Sequence, residues 1–387
     1  MLRICFFSAQ YLPHMGGVEN YTYNISKELI RKGNEVIIVT SHVKGQKYYE
    51  ICEGIEIYRL PSINLMNGRL PILKLSSKKI NCINELREKK IDIVIINTRF
   101  YFLSLFGARF AYKFGIPSLM IEHGTSHLQF ENKFLKEIEN IYEHSITLLD
   151  KRYVRNFYGV SNACNEWLKH FHIEAKGVIY NSIDLDILNG HSSNENKLCN
   201  KYNLDDNIIK FCFVGRIIKE KGIKELVTSF LKLKTQYDNI CLFIAGEGPL
   251  VANVIDLEQQ GIYYLGKLSR NDVIDLLLES DVFCLPSVSE GFSTAVLEAA
   301  ICKSYIITTE RGGSKELIKD RSYGSIIKNN DSDLIYLEME KIINNVIHIN
   351  ECTKKTYEEV TRKYTWQHTT ENLLKIIKKE VKEWEKY

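Results

Sequence analysis

A chain of 387 residues has room for two hydrophobic cores at roughly 100–200 residues per domain. With 45% hydrophobic and 26% charged residues it is neither disordered nor fibrous. A formal net charge of +3 excludes a nucleic-acid partner held by bulk positive charge. The charge is unevenly spread: Met1–Glu174 carries 23 basic and 17 acidic residues, against 28 and 31 in the remainder.

The opening MLRICFFSAQ has too short an apolar run for a secretion signal, and no uncharged stretch approaches bilayer length. Ten cysteines are scattered without any Cys-x-x-Cys, most of them inside apolar runs. They read as reduced core thiols of a cytoplasmic protein rather than disulfides or zinc ligands.

In chain order, β-branched runs alternate with segments of helical period, the pattern of parallel βα units. Arg3–Ser8 is a strand, followed by a helix over Glu19–Lys32 with Gly33 as its stop. Further strands fall at Glu35–Ser41, Ile55–Leu60, Asp92–Asn97, Ser118–Glu122 and Phe157–Ser161. After Val178–Asn181, a polar stretch rich in Asn, Ser and Asp marks a domain joint. The pattern restarts with strands at Lys210–Gly215, Cys241–Ala245, Ile262–Leu265, Val282–Leu285, Tyr305–Thr308 and Ser325–Ile327. Helices are expected over Gly222–Lys234, Asp272–Glu279 and Thr294–Ala300, and residues 366–387 form a long amphipathic terminal helix. The class is α/β, with two tandem Rossmann-like domains: residues 1–177, onto which the terminal helix packs back, and residues 178–365.

In open α/β sheets ligands bind beyond the carboxyl ends of the strands. At the first such junction, Gly16 and Gly17 let a phosphate or sugar approach the backbone at a helix start. In FVGRIIKEKGI, Arg216 and Lys221 suit a diphosphate, the Arg by bidentate hydrogen bonds and the Lys as a point charge. AGEGP and LGKLS are permissive turns. LPSVSEGFSTAVLEAA places Glu290 just before a helix and Glu298 inside it, where a carboxylate among apolar neighbours needs hydrogen-bonding partners such as ribose hydroxyls. Two Asp-x-Asp strings, Asp184–Asp186 and Asp331–Asp333, fall in polar connections and read as turn or cap residues rather than metal ligands.

These motifs, in this order with GGVEN and the IYNSIDLD joint, resemble glycosyltransferase family 4. The resemblance implies a retaining, metal-independent enzyme of GT-B architecture, with two Rossmann-like domains facing across a cleft. It implies that Arg216 and Lys221 hold the donor diphosphate, Glu298 the ribose and Glu290 the transferred sugar. Backbone amides around Gly291, Phe292, Ser293 and Thr294 would line the sugar and phosphate, and Lys267 would meet the base through its backbone. From the first domain, Gly16 and Gly17 would approach the diphosphate, and His123 would lie near the donor sugar.

The donor is expected to be a UDP- or GDP-sugar, with no cofactor. The acceptor is expected to be a glycan, lipid-linked in bacterial surface-glycan assembly. A nucleotide-sugar epimerase on the same fold is the competing class; it would change a labelled sugar without any acceptor. The basic, apolar segments GRLPILKLSSKKINCINELREKK and FYFLSLFGARFAYKF are candidate contacts with an anionic inner-leaflet membrane.

Overall fold

The computed structural model describes residues 1–65, 70–74, 76–127, 133–191, 197–205 and 207–384. The chain forms two compact units, Met1–Asn181 with Trp366–Tyr387, and Ser182–Thr365.

The first unit is built on strands β1 (Arg3–Ser8), β2 (Glu35–Ser41), β3 (Tyr49–Cys52) and β4 (Ile55–Leu60), with a β5–β6 hairpin (Ser62–Leu65, Leu70–Leu73). Strands β7 (Ile93–Asn97), β8 (Ser118–Glu122) and β9 (Asn156–Gly159) complete it. Its seven-stranded sheet runs β3-β4-β2-β1-β7-β8-β9, parallel throughout except for the antiparallel edge strand β3. Helices α1 (Gly17–Arg31), α2 (Ser77–Glu88), α3 (Phe102–Phe114), α4 (Lys133–Asp150) and α5 (Asn162–Lys169) connect the strands.

Strands covered on both faces explain the unbroken apolar runs: Ile4, Cys5, Phe6 and Phe7 of β1 and Ile93, Val94, Ile95 and Ile96 of β7 are fully buried. Gly107 lets α3 lie close on β1, because a Cβ there would stand 2.5 Å from the Phe7 ring. Gly33, at φ +78°, closes α1 as expected.

The second unit contains α6 (Lys197–Tyr202), β10 (Ile209–Val214), α7 (Ile223–Lys234), β11 (Ile240–Ala245), β12 (Ile262–Gly266), α8 (Arg270–Glu279) and β13 (Val282–Leu285). It continues with α9 (Thr294–Ile301), β14 (Tyr305–Thr309), α10 (Ser314–Leu317), β15 (Ser325–Ile327), α11 (Ser332–Ile343) and α12 (Val346–Lys363). Its sheet is wholly parallel, in the order β12-β11-β10-β13-β14-β15. That is the 3-2-1-4-5-6 order of a Rossmann fold, and the first unit repeats it in its parallel strands.

Two sequence expectations shift. The strand expected over Phe157–Ser161 ends at Gly159, because the Ser161 hydroxyl caps α5 by accepting from the Cys164 amide. Val178–Asn181 stays with the first unit: Val178 bridges to Gly159, and the Ile179 amide donates to the Gly159 carbonyl. The joint therefore falls four residues later than expected, and residues 192–196 and Asp206 of the polar stretch lie outside the described residues.

FYFLSLFGARFAYKF is α3 and its flank, and Leu103, Ala108, Phe110 and Ala111 serve the core rather than a surface. Of the other basic segment, Arg69 and Leu75 lie outside the described residues; Leu86 is buried, and Lys79 lies over the Phe106 ring at 4.6 Å. All ten cysteines are free thiols.

Helix α13 (Trp366–Trp384) completes the first unit. Trp366 meets Tyr21 of α1 edge-on at 5.4 Å. Its buried Glu380 accepts from Tyr158 Oη at 2.8 Å and Asn156 Nδ2 at 2.5 Å, with Lys176 Nζ at 3.3 Å. Removing one side of a buried polar contact leaves the other unsatisfied. Glu380→Ala is therefore expected to lower stability by about 1–3 kcal/mol in urea unfolding, and Glu380→Gln by less.

Candidate functional site at the strand ends

In the second unit the strand order reverses between β10 and β13, and the chemistry-bearing residues follow these two strands. Beyond β10 the chain passes Gly215 and Arg216 and enters a short 3-10 turn, Lys219–Lys221, closed by Gly222 at φ +70°. A Cβ on Gly222 would sit 2.1 Å from the Pro286 carbonyl oxygen, so the turn and the loop after β13 touch backbone to backbone. The Glu220 carbonyl accepts from the Val288 amide and the Ser287 hydroxyl, both at 2.9 Å.

This docking brings Lys221 Nζ to 2.5 Å from Glu290 Oε1, with both side chains largely covered. Arg216 is exposed, and its guanidinium has no hydrogen-bond partner among the described residues.

Gly291 and Phe292 lead into α9, whose N-cap Ser293 makes no side-chain cap hydrogen bond. The Phe292 ring is buried against Tyr364 at 5.0 Å, and Gly313 packs so closely that a Cβ there would stand 2.5 Å from that ring. The Gly313 amide donates to the Gly291 carbonyl, and these contacts fix the backbone leading to Thr294.

Glu298 lies one turn further in. No group among the described residues hydrogen-bonds its carboxylate. Burial pushes it up to about 7, with Arg270 pulling it back. Lys267 follows β12 beyond Gly266, whose carbonyl accepts from the Gly246 amide; its ammonium is exposed, 3.7 Å from Glu247.

In the first unit, Gly16 and Gly17 start α1. The Gly16 amide donates to Glu19 Oε2 at 2.8 Å, and a Cβ on Gly17 would meet nothing within 4 Å. His123 follows β8, edge-on to Tyr21 at 4.8 Å, with Nε2 3.0 Å from Asn97 Oδ1. Because the Asn97 amide nitrogen donates to Thr22 Oγ1, its oxygen faces the ring. This assigns the proton to His123 Nε2 and leaves Nδ1 as an acceptor. Burial depresses the imidazole to about 3, so it is neutral.

Glu122 holds the turn: Oε1 accepts from the amides of His123 and Gly124, and Oε2 from Arg99 Nη1 at 3.0 Å. Asn97, Arg99 and Glu122 were not singled out from the sequence, although each is a polar residue at or just past a strand end.

Both Asp-x-Asp strings cap helices, Asp184 accepting from the Asp186 amide and Asp331 from the Asp333 amide. The structure thus gathers Arg216, Lys221, Glu290, Glu298 and the residue 291–294 turn in one unit, and Gly16, Gly17 and His123 in the other.

Two Rossmann-ordered sheets with these strand ends define a GT-B fold. The Anabaena HepE protein, solved with UDP and glucose, shares that fold, with a TM-score of 0.74 over 98% of this chain and 100% of its own at 16% identity. The family model for Glycosyltransferase Family 4 matches residues 15–187, and that for Glycosyl transferases group 1 matches residues 194–359. The chain belongs to glycosyltransferase family 4.

An uncharacterized glycosyltransferase of Methanocaldococcus jannaschii is 25% identical, covering 98% of each chain. The phosphatidylinositol N-acetylglucosaminyltransferase GPI3 subunit of Saccharomyces cerevisiae is 22% identical, over 95% of this chain and 80% of its own.

The backbone contact at Gly222 makes a specific demand. Gly222→Ala adds a left-handed alanine and a clash with Pro286, and is expected to cost about 1–3 kcal/mol in urea unfolding.

Proposed function

We propose that the protein transfers a sugar, with retention of anomeric configuration, from a nucleotide-diphosphate sugar to a lipid-linked glycan. The observation that carries this reading is the convergence of Arg216, the Lys221–Glu290 pair and the start of α9 beyond β10 and β13. A UDP-sugar is the favoured donor, since UDP is bound by the structural neighbour HepE; a GDP-sugar is the alternative.

In this reading Lys221 exchanges the Glu290 carboxylate for the donor diphosphate, and Arg216 closes on it from solvent. Glu290, once released, accepts from hydroxyls of the transferred sugar, while the amides at 291–294 meet sugar and phosphate. Glu298 accepts from the ribose, and the Lys267 backbone meets the base. Neutral His123 offers Nδ1 to the donor sugar, and Gly17 leaves room for the diphosphate.

The anomeric carbon–phosphate oxygen bond breaks as the acceptor oxygen bonds to the same face. The acceptor proton passes to the departing phosphate oxygen. Arg216, Lys221 and the helix start offset the growing charge, so the reaction requires no divalent metal.

The acceptor side is argued from the first unit. Helix α4 exposes Ile138, Ile141, Leu148 and Leu149 at helical spacing, followed by Lys151 and Arg152. We assign contact with an anionic inner-leaflet surface to this stripe in place of α3. The phosphatidylinositol in the name of the yeast relative agrees with a lipid-borne acceptor. No helix among the described residues is long and apolar enough to cross a membrane, so the contact would be peripheral.

The test is transfer from labelled UDP- and GDP-sugars, read by NMR at the anomeric carbon. Retention is expected, at a rate unchanged when Mg²⁺ and Mn²⁺ are omitted; an inverted product overturns the mechanism. Arg216→Ala and Lys221→Ala should each lower kcat about 10–150-fold, the rate equivalent of a lost charge-assisted hydrogen bond.

The raised Glu298 carboxyl gives a second expectation. Folding captures a proton that the unfolded chain gives up near pH 4.5, so this group's contribution to stability falls as pH rises from about 4.5 to about 7. Ribose hydroxyls favour the ionised form, so donor binding should release protons near pH 6.5 and tighten as pH rises through about 7. Calorimetry in buffers of different ionisation enthalpy measures the release, and Glu298→Gln should abolish it.

A further inference from the structure

The first unit holds a histidine cluster that glycosyl transfer does not use. His127 lies in the loop after β8, His144 on α4, and His170 at the end of α5. His170 Nε2 is 3.3 Å from His127 Nε2 and 3.1 Å from His144 Nε2, and one nitrogen of each ring lies within 4.8 Å of the other two.

A hydrogen-bonded explanation is crowded, because one ring nitrogen of His170 faces two others at once, and a neutral imidazole nitrogen carries either a proton or a lone pair. A central cation satisfies all three. Zinc–nitrogen bonds of about 2.0–2.1 Å at tetrahedral angles separate ligand nitrogens by about 3.3–3.4 Å, close to both spacings.

The surroundings are those of a supported ligand set. Glu143, fully buried on α4, hydrogen-bonds His127 Nδ1, which directs Nε2 of the same ring into the cluster, the carboxylate–histidine arrangement found behind metal ligands. Trp167 stacks on His170 at 4.9 Å, and Phe171 lies against His144 at 4.7 Å, so both outer rings are held. His144 and His170 are exposed, which gives an ion an entry path and a place for a water ligand.

We propose that His127, His144 and His170 bind one Zn²⁺ through Nε2, with Glu143 orienting His127 and water completing the tetrahedron. The site has a structural consequence in the same unit. Glu143 Oε1 lies 3.7 Å from Arg99 Nη2, Arg99 Nη1 donates to Glu122, and Glu122 holds the amides of His123 and Gly124. Through this chain the ion braces the turn that presents His123, so these are positioning residues, and the proposal stands independently of the sugar chemistry.

Untagged protein, equilibrated with micromolar zinc and passed through metal-free buffer, should retain one zinc per chain by atomic emission. Co²⁺ in its place should give the strong visible bands of a tetrahedral site. His144→Ala and His170→Ala alter exposed side chains, and should melt like the wild type in EDTA while losing at least tenfold in zinc affinity. Glu143→Gln should weaken zinc about 10–100-fold. Zinc should raise the melting temperature of the wild type and of neither His variant. Absence of stoichiometric zinc from the wild type, or equal zinc in wild type and His variants, overturns the proposal.

Discussion

At the carboxyl edge of the second sheet, neighbouring turns meet backbone to backbone with no room for a methyl group. A Cβ on Gly222 would stand 2.1 Å from the Pro286 oxygen, one on Gly246 1.8 Å from the Gly215 oxygen, and one on Gly248 2.2 Å from the Ile217 oxygen. Gly312 meets the Gly291 oxygen in the same way, at 2.5 Å. These contacts set the height of each loop above the strands, and with it where Arg216, Lys221 and Glu290 stand. Side chains on such loops need little packing of their own, because the backbone beneath them is already fixed. Of the two turns that looked merely permissive in the sequence, AGEGP holds the backbone on either side of Arg216, whereas a Cβ on Gly266 of LGKLS would meet nothing within 4 Å.

The two units use burial differently. In the second, the ion pair of Lys221 and Glu290 stands at the edge of solvent, where a charged ligand can compete for either partner at moderate cost. In the first, Arg99, Glu122 and Glu143 are almost wholly enclosed. Arg99 lies 3.8 Å from the Phe171 ring centre, which gives its guanidinium an aromatic face as well as carboxylates. A buried charged network of this kind is costly to break from one side and so favours a single geometry over an adaptable one. The half-covered pair keeps a path to solvent, whereas the enclosed network has none.

Much of this was legible in the sequence, for a physical reason. Apolar runs bounded by polar connections stand out along the chain, so β1, β2, β4, β8, β13 and β15 could be placed to the residue. Hairpins were harder. The β3–β4 turn uses Glu53 and Gly54, both at positive φ, a conformation usually signalled by Asn-Gly or Asp-Gly rather than Glu-Gly. Among site residues, those within one local motif were visible, as with Glu290 and Glu298. The Arg99–Glu122–Glu143 network was not, because it needs β7 beside β8 and Glu143 of α4 brought to Arg99, a matter of tertiary packing rather than spacing. The terminal helix showed its amphipathic face clearly, while nothing in the local sequence marks its anchor, Glu380, as buried.

That helix also sets an order of events during synthesis. The first unit is made of Met1–Asn181 and Trp366–Tyr387, with all of Ser182–Thr365 translated between them. At about 5–20 residues per second, the ribosome takes roughly 10–40 s to cross the intervening segment. Throughout that interval Tyr158 lacks Glu380 and Tyr21 lacks Trp366. The second unit, contiguous in the chain, can finish folding before the first has its last piece. The nascent first sheet must therefore wait with the surface later taken by α13 open to solvent.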